Sequence, residues 1–299
     1  MQREFRFTVA NRIVRIGFLA NAALMVFKLL AGHFGRSAAV FADGIESACD
    51  FIAIFSTMVA LNIGKKPYDS DHPYGHGKAE SISAILVSLV IIATGIGVEF
   101  QSIKTITGAT YQPPKLIAVA VAIMTVISKE WLYRYTVATA NTLQSPALQA
   151  IAKDHRKDAV TSIATVIGVS SAFLGCALMD PIAAAITGLF ILHIGIQTFV
   201  SASQELMDAK PSPDLLNEIT LMVEEMDGVE HVHEIRARRS GQFFIVDLKL
   251  DMDPDMTVKR SHDIACHVKQ GIFEKFHNVG DVMIHINPHG EEHEDLIRL

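Results

Sequence analysis

Residues 160–200 read VTSIATVIGVSSAFLGCALMDPIAAAITGLFILHIGIQTFV, and Asp180 is the one charged side chain in that run. A helix of about 20 apolar residues crosses the roughly 30 Å hydrocarbon core of a bilayer, and this run is long enough for two. Outward from it the same signature recurs. Six apolar stretches, roughly 13–31, 37–63, 81–106, 116–138, 147–178 and 182–202, predict six membrane-crossing helices joined by short connections. Half of the 299 residues are hydrophobic and 19% are charged, a balance that suits a membrane protein better than an ordinary globular one.

The charge is concentrated at the end of the chain. From Asp208 onward Asp, Glu, Lys, Arg and His are dense, so a second, water-facing environment begins there. A net charge of -6 with no basic face excludes a nucleic-acid partner and favours cations. Cys49, Cys176 and Cys266 have neither paired nor CxxC spacing, so neither a disulfide framework nor a thiolate zinc site is indicated. Arg3, Arg6, Arg12 and Arg15 precede the first apolar run without a signal-peptide cleavage pattern, and read as a cytoplasmic flank. With Lys65, Lys66 and Lys78 after helix two, they orient both termini towards the cytoplasm.

From Pro211 the pattern changes. Residues 215–226 read as an amphipathic helix, 229–239 and 243–252 as strands joined at Ser240-Gly241, 258–276 as a second helix and 282–286 as a third strand. The result is an αββαβ α+β domain of about 80 residues, small enough to be marginally stable alone. The expected organisation is a six-helix membrane domain at 1–209, a soluble domain at 210–290 and a polar tail at 291–299.

Three of the apolar stretches carry charge. Lys28 lies late in the first, Glu46 and Asp50 in the second, and Asp154, His155, Arg156, Lys157 and Asp158 early in the fifth. Glu46 and Asp50 are spaced i, i+4 and share a helix face, and Asp154 and Asp158 repeat that spacing. On insertion scales one carboxylate at the bilayer centre costs about 2.5–3.5 kcal/mol, so four unpaired ones cost on the order of 10 kcal/mol. A divalent cation held by carboxylates of two facing helices compensates that, and protonation is the other route. Pairing with Lys28, Arg156 and Lys157, or snorkelling to water, is the bland alternative. Asp43 shares the face of Glu46 and Asp50 and is positioned to line an entry path. His155, spaced i, i+3 from Asp158, is an alternative ligand to Asp154.

Between helices two and three, residues 69–80 read DSDHPYGHGKAE, with two imidazoles and several carboxylates in reach of a metal. The string His72-Pro73-Tyr74-Gly75-His76-Gly77-Lys78-Ala79-Glu80 resembles the cation diffusion facilitator family. The resemblance extends over nearly the whole chain through Ala42-Asp43, residues 154–162, Asp180-Pro181 and the αββαβ tail. It implies six transmembrane helices and a ferredoxin-like, metallochaperone-like cytoplasmic domain that senses metal and dimerises. It also implies a transport site at Glu46, Asp50, Asp154 and Asp158, a loop site at Asp69, His72 and His76, and tail positions at His233, Asp247, His262 and His285. Lys78 and Asp208 match a charge pair that in relatives ties helix three to the tail.

This chain departs from the zinc-exporting pattern with an all-carboxylate transport set, and with Lys249 and Asn287 at tail positions where such exporters place ligands. Hard oxygen donors favour Mn(II) or Fe(II) relative to Zn(II). Similarity to the ferrous-iron and magnetosome-associated branch points the same way.

The expected function is proton-coupled export of a divalent metal from a homodimer in a bacterial inner membrane or a magnetosome-type membrane, with the metal as substrate and regulator. The competing reading is a non-transporting membrane sensor or scaffold. An intramembrane aspartyl protease is excluded, because no Gly-x-Gly-Asp occurs and the aspartates pair within single helices. The chain therefore reads as a transporter and not an enzyme.

Overall fold

The computed structural model describes residues 2–109, 112–143 and 145–290, with 2–11, 143, 146 and 147 described by backbone alone. The expected polar tail at 291–299, His293 included, lies outside the described residues. Six long helices come first: α1 (Gln2–Phe34), α2 (Ala38–Gly64), α3 (Ala79–Thr107), α4 (Leu116–Leu143), α5 (Pro146–Phe173) and α6 (Met179–Leu206). Five are long and apolar enough to cross a membrane, counting α1 from Arg12. The first half of α5 holds Lys153, Asp154, Arg156, Lys157 and Asp158, but its 28 residues, about 42 Å, span the core by length. The helix of α1 continues back to Gln2, through the basic stretch. Its sequence contains no Pro, and Arg and Gln are good helix formers.

By contacts the chain divides into two compact units. One comprises the chain up to Ser56 together with Leu86–Thr198, and the other Thr57–Ile85 together with the chain from Phe199 onward. One end each of α2, α3 and α6 therefore belongs with the C-terminal domain.

In the first unit the outward side chains are apolar, among them Phe18, Leu19, Leu89, Ile127, Ile167 and Leu189, as lipid contact requires. Helix interfaces use small residues. A Cβ on Gly168 of α5 would stand 2.3 Å from the Ala183 Cβ of α6, so only glycine permits that approach. The α4–α5 hairpin is closed by Ser145, whose hydroxyl accepts from the Leu148 amide, with Pro146 in the first turn. Asp180, in the first turn of α6, caps α2 through space: it accepts from Ser37 Oγ at 2.5 Å, the Ala38 amide at 2.6 Å and the Ala39 amide at 3.4 Å. A buried carboxylate thus satisfies amides that the helix itself leaves open.

In the second unit, α7 (Pro213–Glu224), β1 (His231–Ser240), β2 (Phe243–Met252), α8 (Val258–Lys275) and β3 (Val279–Pro288) form the αββαβ domain. The sheet order is β1-β2-β3, antiparallel then parallel. Ser240 pairs with Phe243, so the hairpin turn is Gly241-Gln242 rather than Ser240-Gly241, with Gly241 at φ 61. Pairing with β2 from Phe244 to Met252 lengthens β3 at both ends beyond the predicted 282–286. Val246, Leu248, Leu250 and Met252 of β2 pack with Ile219 and Val223 of α7 and Val268 and Ile272 of α8. By alternation, Asp247, Lys249 and Asp251 lie on the other face of the sheet. Ile272 is fully buried in this core. Ile272→Ala should cost about 2–5 kcal/mol, measurable as a lower denaturant midpoint for proteolytic cleavage of the C-terminal domain.

Candidate metal sites

The membrane unit places the predicted carboxylates in two layers. In one, Asp43 is buried, 3.0 Å from the Lys28 ammonium, and accepts from Ser162 Oγ of α5 at 3.4 Å. Lys28 is buried too and also donates to Ser47 Oγ at 3.1 Å. In the other, Asp158 of α5 accepts from the buried Lys129 of α4 at 2.6 Å. Asp50 keeps accessible surface although much protein surrounds it, and Glu46 is half-buried. The charges of Asp43, Asp50, Asp158 and Lys28 reach Glu46, and those of Asp158, Lys129, Lys157 and Lys28 reach Asp50. Four carboxylates, Asp43, Glu46, Asp50 and Asp158, thus stand with two buried ammonium groups and the exposed Lys157, so the carboxylates outnumber the cations around them. An excess of negative charge within the membrane unit calls for a divalent cation or protons.

Asp154 and His155 are separated by burial. Asp154 is exposed, while His155 is buried against Gly17 of α1, with its Nε2 lacking a hydrogen-bond partner. Arg156 pairs with Glu130 of α4 and does not reach the column. Lys129 was not singled out in the sequence, although a lone lysine in an apolar stretch is a legible signal. The capping role of Asp180 was likewise unforeseen.

The loop between α2 and α3 is the one place, among the described residues, where three His, Cys, Asp or Glu side chains bring ligand atoms within 4.8 Å of one another: Asp69, His72 and His76. Asp69 Oδ1 is 3.1 Å from His72 Nδ1, and Oδ2 is 3.5 Å from His76 Nε2. The His72 amide donates to Asp69 Oδ1 at 2.7 Å, so the loop backbone orients the carboxylate. That hydrogen bond holds the Asp69 carboxyl below the usual range. His76 Nδ1 faces the Pro67 carbonyl at 3.2 Å, which leaves Nε2 turned towards Asp69. An oxygen and two imidazoles suit a first-row divalent metal.

Also within this second unit, Lys78 donates to Asp208 at 2.7 Å, and Arg238 reaches the same carboxylate at 3.4 Å. The Lys78 hydrogen bond lowers the Asp208 pKa. The tie therefore contributes fully above the unfolded Asp value of about 3.9 and is lost as pH falls through the lower folded value.

On the open face of the C-terminal sheet, His285 lies beside Lys249 in the β2–β3 register, one step along from Asp247. His262 projects from α8, in the helical layer on the opposite side, so one chain does not unite it with Asp247 and His285. Instead Asp251, which is buried, has Oδ2 3.7 Å from His233 Nδ1 and 3.9 Å from His289 Nδ1, and accepts from Asn287 at 3.4 Å. Asp251 was not expected from sequence, because strand register decides its neighbours.

The family model described as "Cation efflux transmembrane domain" matches residues 14–207, and that described as "Cation efflux protein, cytoplasmic domain" matches 211–289. The manganese efflux system protein MneP of Bacillus subtilis is 35% identical over 291 residues, covering 95% of this chain and 98% of its own. The magnetosome protein MamB of Magnetospirillum gryphiswaldense is 30% identical over 278 residues, covering 93% and 94%. Metal tolerance protein 2 of Oryza sativa is 29% identical over 303 residues, covering 93% and 78%.

Proposed function

The chain belongs to the cation efflux family, a family of multi-pass membrane transporters, and from that premise we propose that it exports a divalent transition-metal cation in exchange for protons. The observation that carries this reading is the column of carboxylates on α2 and α5, which outnumber the ammonium groups beside them and so suit a divalent ion or protons. Metal binds at Glu46, Asp50 and Asp158, with Asp154 joining from the next turn of α5. The bundle then alternates access, and protons recharge the emptied carboxylates.

Mn(II) and Fe(II) are the favoured substrates and Zn(II) a weaker one, since the donors are hard oxygens; the manganese efflux named for MneP supports Mn(II). Both termini face the cytoplasm of a bacterial inner membrane or a magnetosome-type membrane, in line with Lys65, Lys66 and Lys78. The C-terminal domain, whose family model is a dimerisation domain, pairs two chains. Metal at the loop and on the domain's open face would bias that pairing, a coupling between sites.

Titration of purified protein with Mn(II), Fe(II) and Zn(II), combined with flux into proteoliposomes under a pH gradient, tests the reading. Exclusive zinc binding, or flux indifferent to the gradient, would overturn it. The pre-assembled triad of Asp69, His72 and His76 favours a second reading, a sensor that acts without transport. Replacing both His72 and His76 by Ala should remove one class of bound metal while flux persists. Affinity at this site should fall as pH falls, because imidazoles ligate only when neutral. Metal bound at the loop with no flux in the parent chain would favour the sensor.

A further inference from the structure

Taking the α2 and α5 carboxylates as the transport site, on which this inference rests, we propose that Lys129 is a tethered cation that occupies the substrate's place on Asp158 in the metal-free protein, and that the metal binds by displacing it onto His155. Three observations support the exchange. The Lys129 ammonium lies 2.6 Å from Asp158 Oδ2. The Lys129 side chain is 6% exposed and that of Asp158 is 32% exposed, so the carboxylate can be reached while the ammonium cannot leave for water. His155, three residues before Asp158 and so on the adjoining turn of α5, holds a buried Nε2 with no hydrogen-bond partner.

A buried ring nitrogen without a partner costs free energy, and in the tautomer protonated at Nδ1 this nitrogen is an acceptor that a displaced ammonium would satisfy. A lysine is suited to such movement, because its ammonium is a compact charge with rotatable donors on a flexible stem, whereas a guanidinium is a rigid fork. When metal arrives, Asp158 gives up the ammonium and binds the divalent ion, and the ammonium turns to the neutral imidazole nitrogen. One cation replaces another without any change of protonation at Lys129. When the metal leaves, the ammonium returns and neutralises Asp158, so that carboxylate is not left bare in the empty carrier. The exchange also discriminates by charge: a monovalent ion gains about what the resident ammonium already supplies at Asp158, while a divalent ion gains twice the Coulomb energy from each carboxylate.

The test measures Mn(II) affinity by calorimetry and Mn(II) flux in proteoliposomes on the full chain, with His72 and His76 replaced by Ala in every variant to silence the loop. If the Lys129–Asp158 pair is formed nine-tenths of the time, Lys129→Gln should bind Mn(II) about tenfold tighter, yet turn over more slowly because release is no longer assisted. A purely structural lysine would not improve affinity when removed. Unchanged or weaker binding by folded Lys129→Gln overturns the proposal. His155→Leu provides the second arm should Lys129→Gln fail to fold: its Mn(II) affinity should fall because the displaced ammonium loses its acceptor, and parental affinity there overturns the proposal. Asp50→Ala separates the two levels. If it binds Mn(II) as the parent does, the transport-site reading fails and this inference with it. If it loses binding while Lys129→Gln and His155→Leu match the parent, only the tethered cation fails.

Discussion

Asp50→Ala and Asp158→Ala should each lower Mn(II) flux in proteoliposomes by about 100-fold or more, the consequence of losing roughly 2.8 kcal/mol of ligand interaction. Asp50 lies on α2 and Asp158 on α5, two helices joined by the hydrogen bond from Ser162 to Asp43. Neither has a neighbour that replaces its oxygens, because Lys28 and Lys129 are cations and Ser162 is already bonded to Asp43. Asp154→Ala makes the informative comparison. Asp154 is exposed in this structure, so if it joins the site only in another state of the cycle, its removal should affect turnover more than resting-state Mn(II) affinity. Parental flux in both the Asp50 and Asp158 variants would sink the transport reading and leave the sensor.

Lys28→Ala should destabilise the membrane unit by about 3–5 kcal/mol, because it leaves the Asp43 carboxylate buried without its counter-charge. Lys28 is 2% exposed and Asp43 4%, so water cannot take the place of the ammonium. Ser47 and Ser162 provide only neutral hydroxyls. The double change Lys28→Met with Asp43→Asn removes both charges and should recover most of the loss. Thermal unfolding of the detergent-solubilised chain measures it. Equal midpoints for Lys28→Ala and the parent would mean that Asp43 is already neutral and that the column carries one negative charge fewer.

Much of the architecture was legible in the sequence. The helix positions follow from apolar length, since lipid tolerates neither open backbone nor unpaired charge and any segment that satisfies it must announce itself locally. The αββαβ domain was legible for a similar reason, because periods of 2 and 3.6 in Phe243–Met252 and Val258–Lys275 reveal one buried face. Element ends were less legible. Gly241-Gln242 became the turn, and β3 grew beyond its apolar middle, because cross-strand pairing and not composition sets where a strand stops.

What the sequence by itself determined is the inventory: six long helices with carboxylates that hydrocarbon rejects, a loop with Asp69, His72 and His76, and a string that belongs to one family. The tertiary structure alone decided partners. Neighbouring helical residues differ by about 100° of rotation, so whether Asp154 or His155 turns inward depends on how α5 packs against α1, and here Gly17 admits the His155 ring. Lys129 meets Asp158 because the hairpin closed at Ser145 brings α4 alongside α5. His262 and His285 part because α8 packs on one face of the sheet and His285 lies on the other. Local sequence records which side chains need a partner; which one they receive is set by packing between elements far apart in the chain.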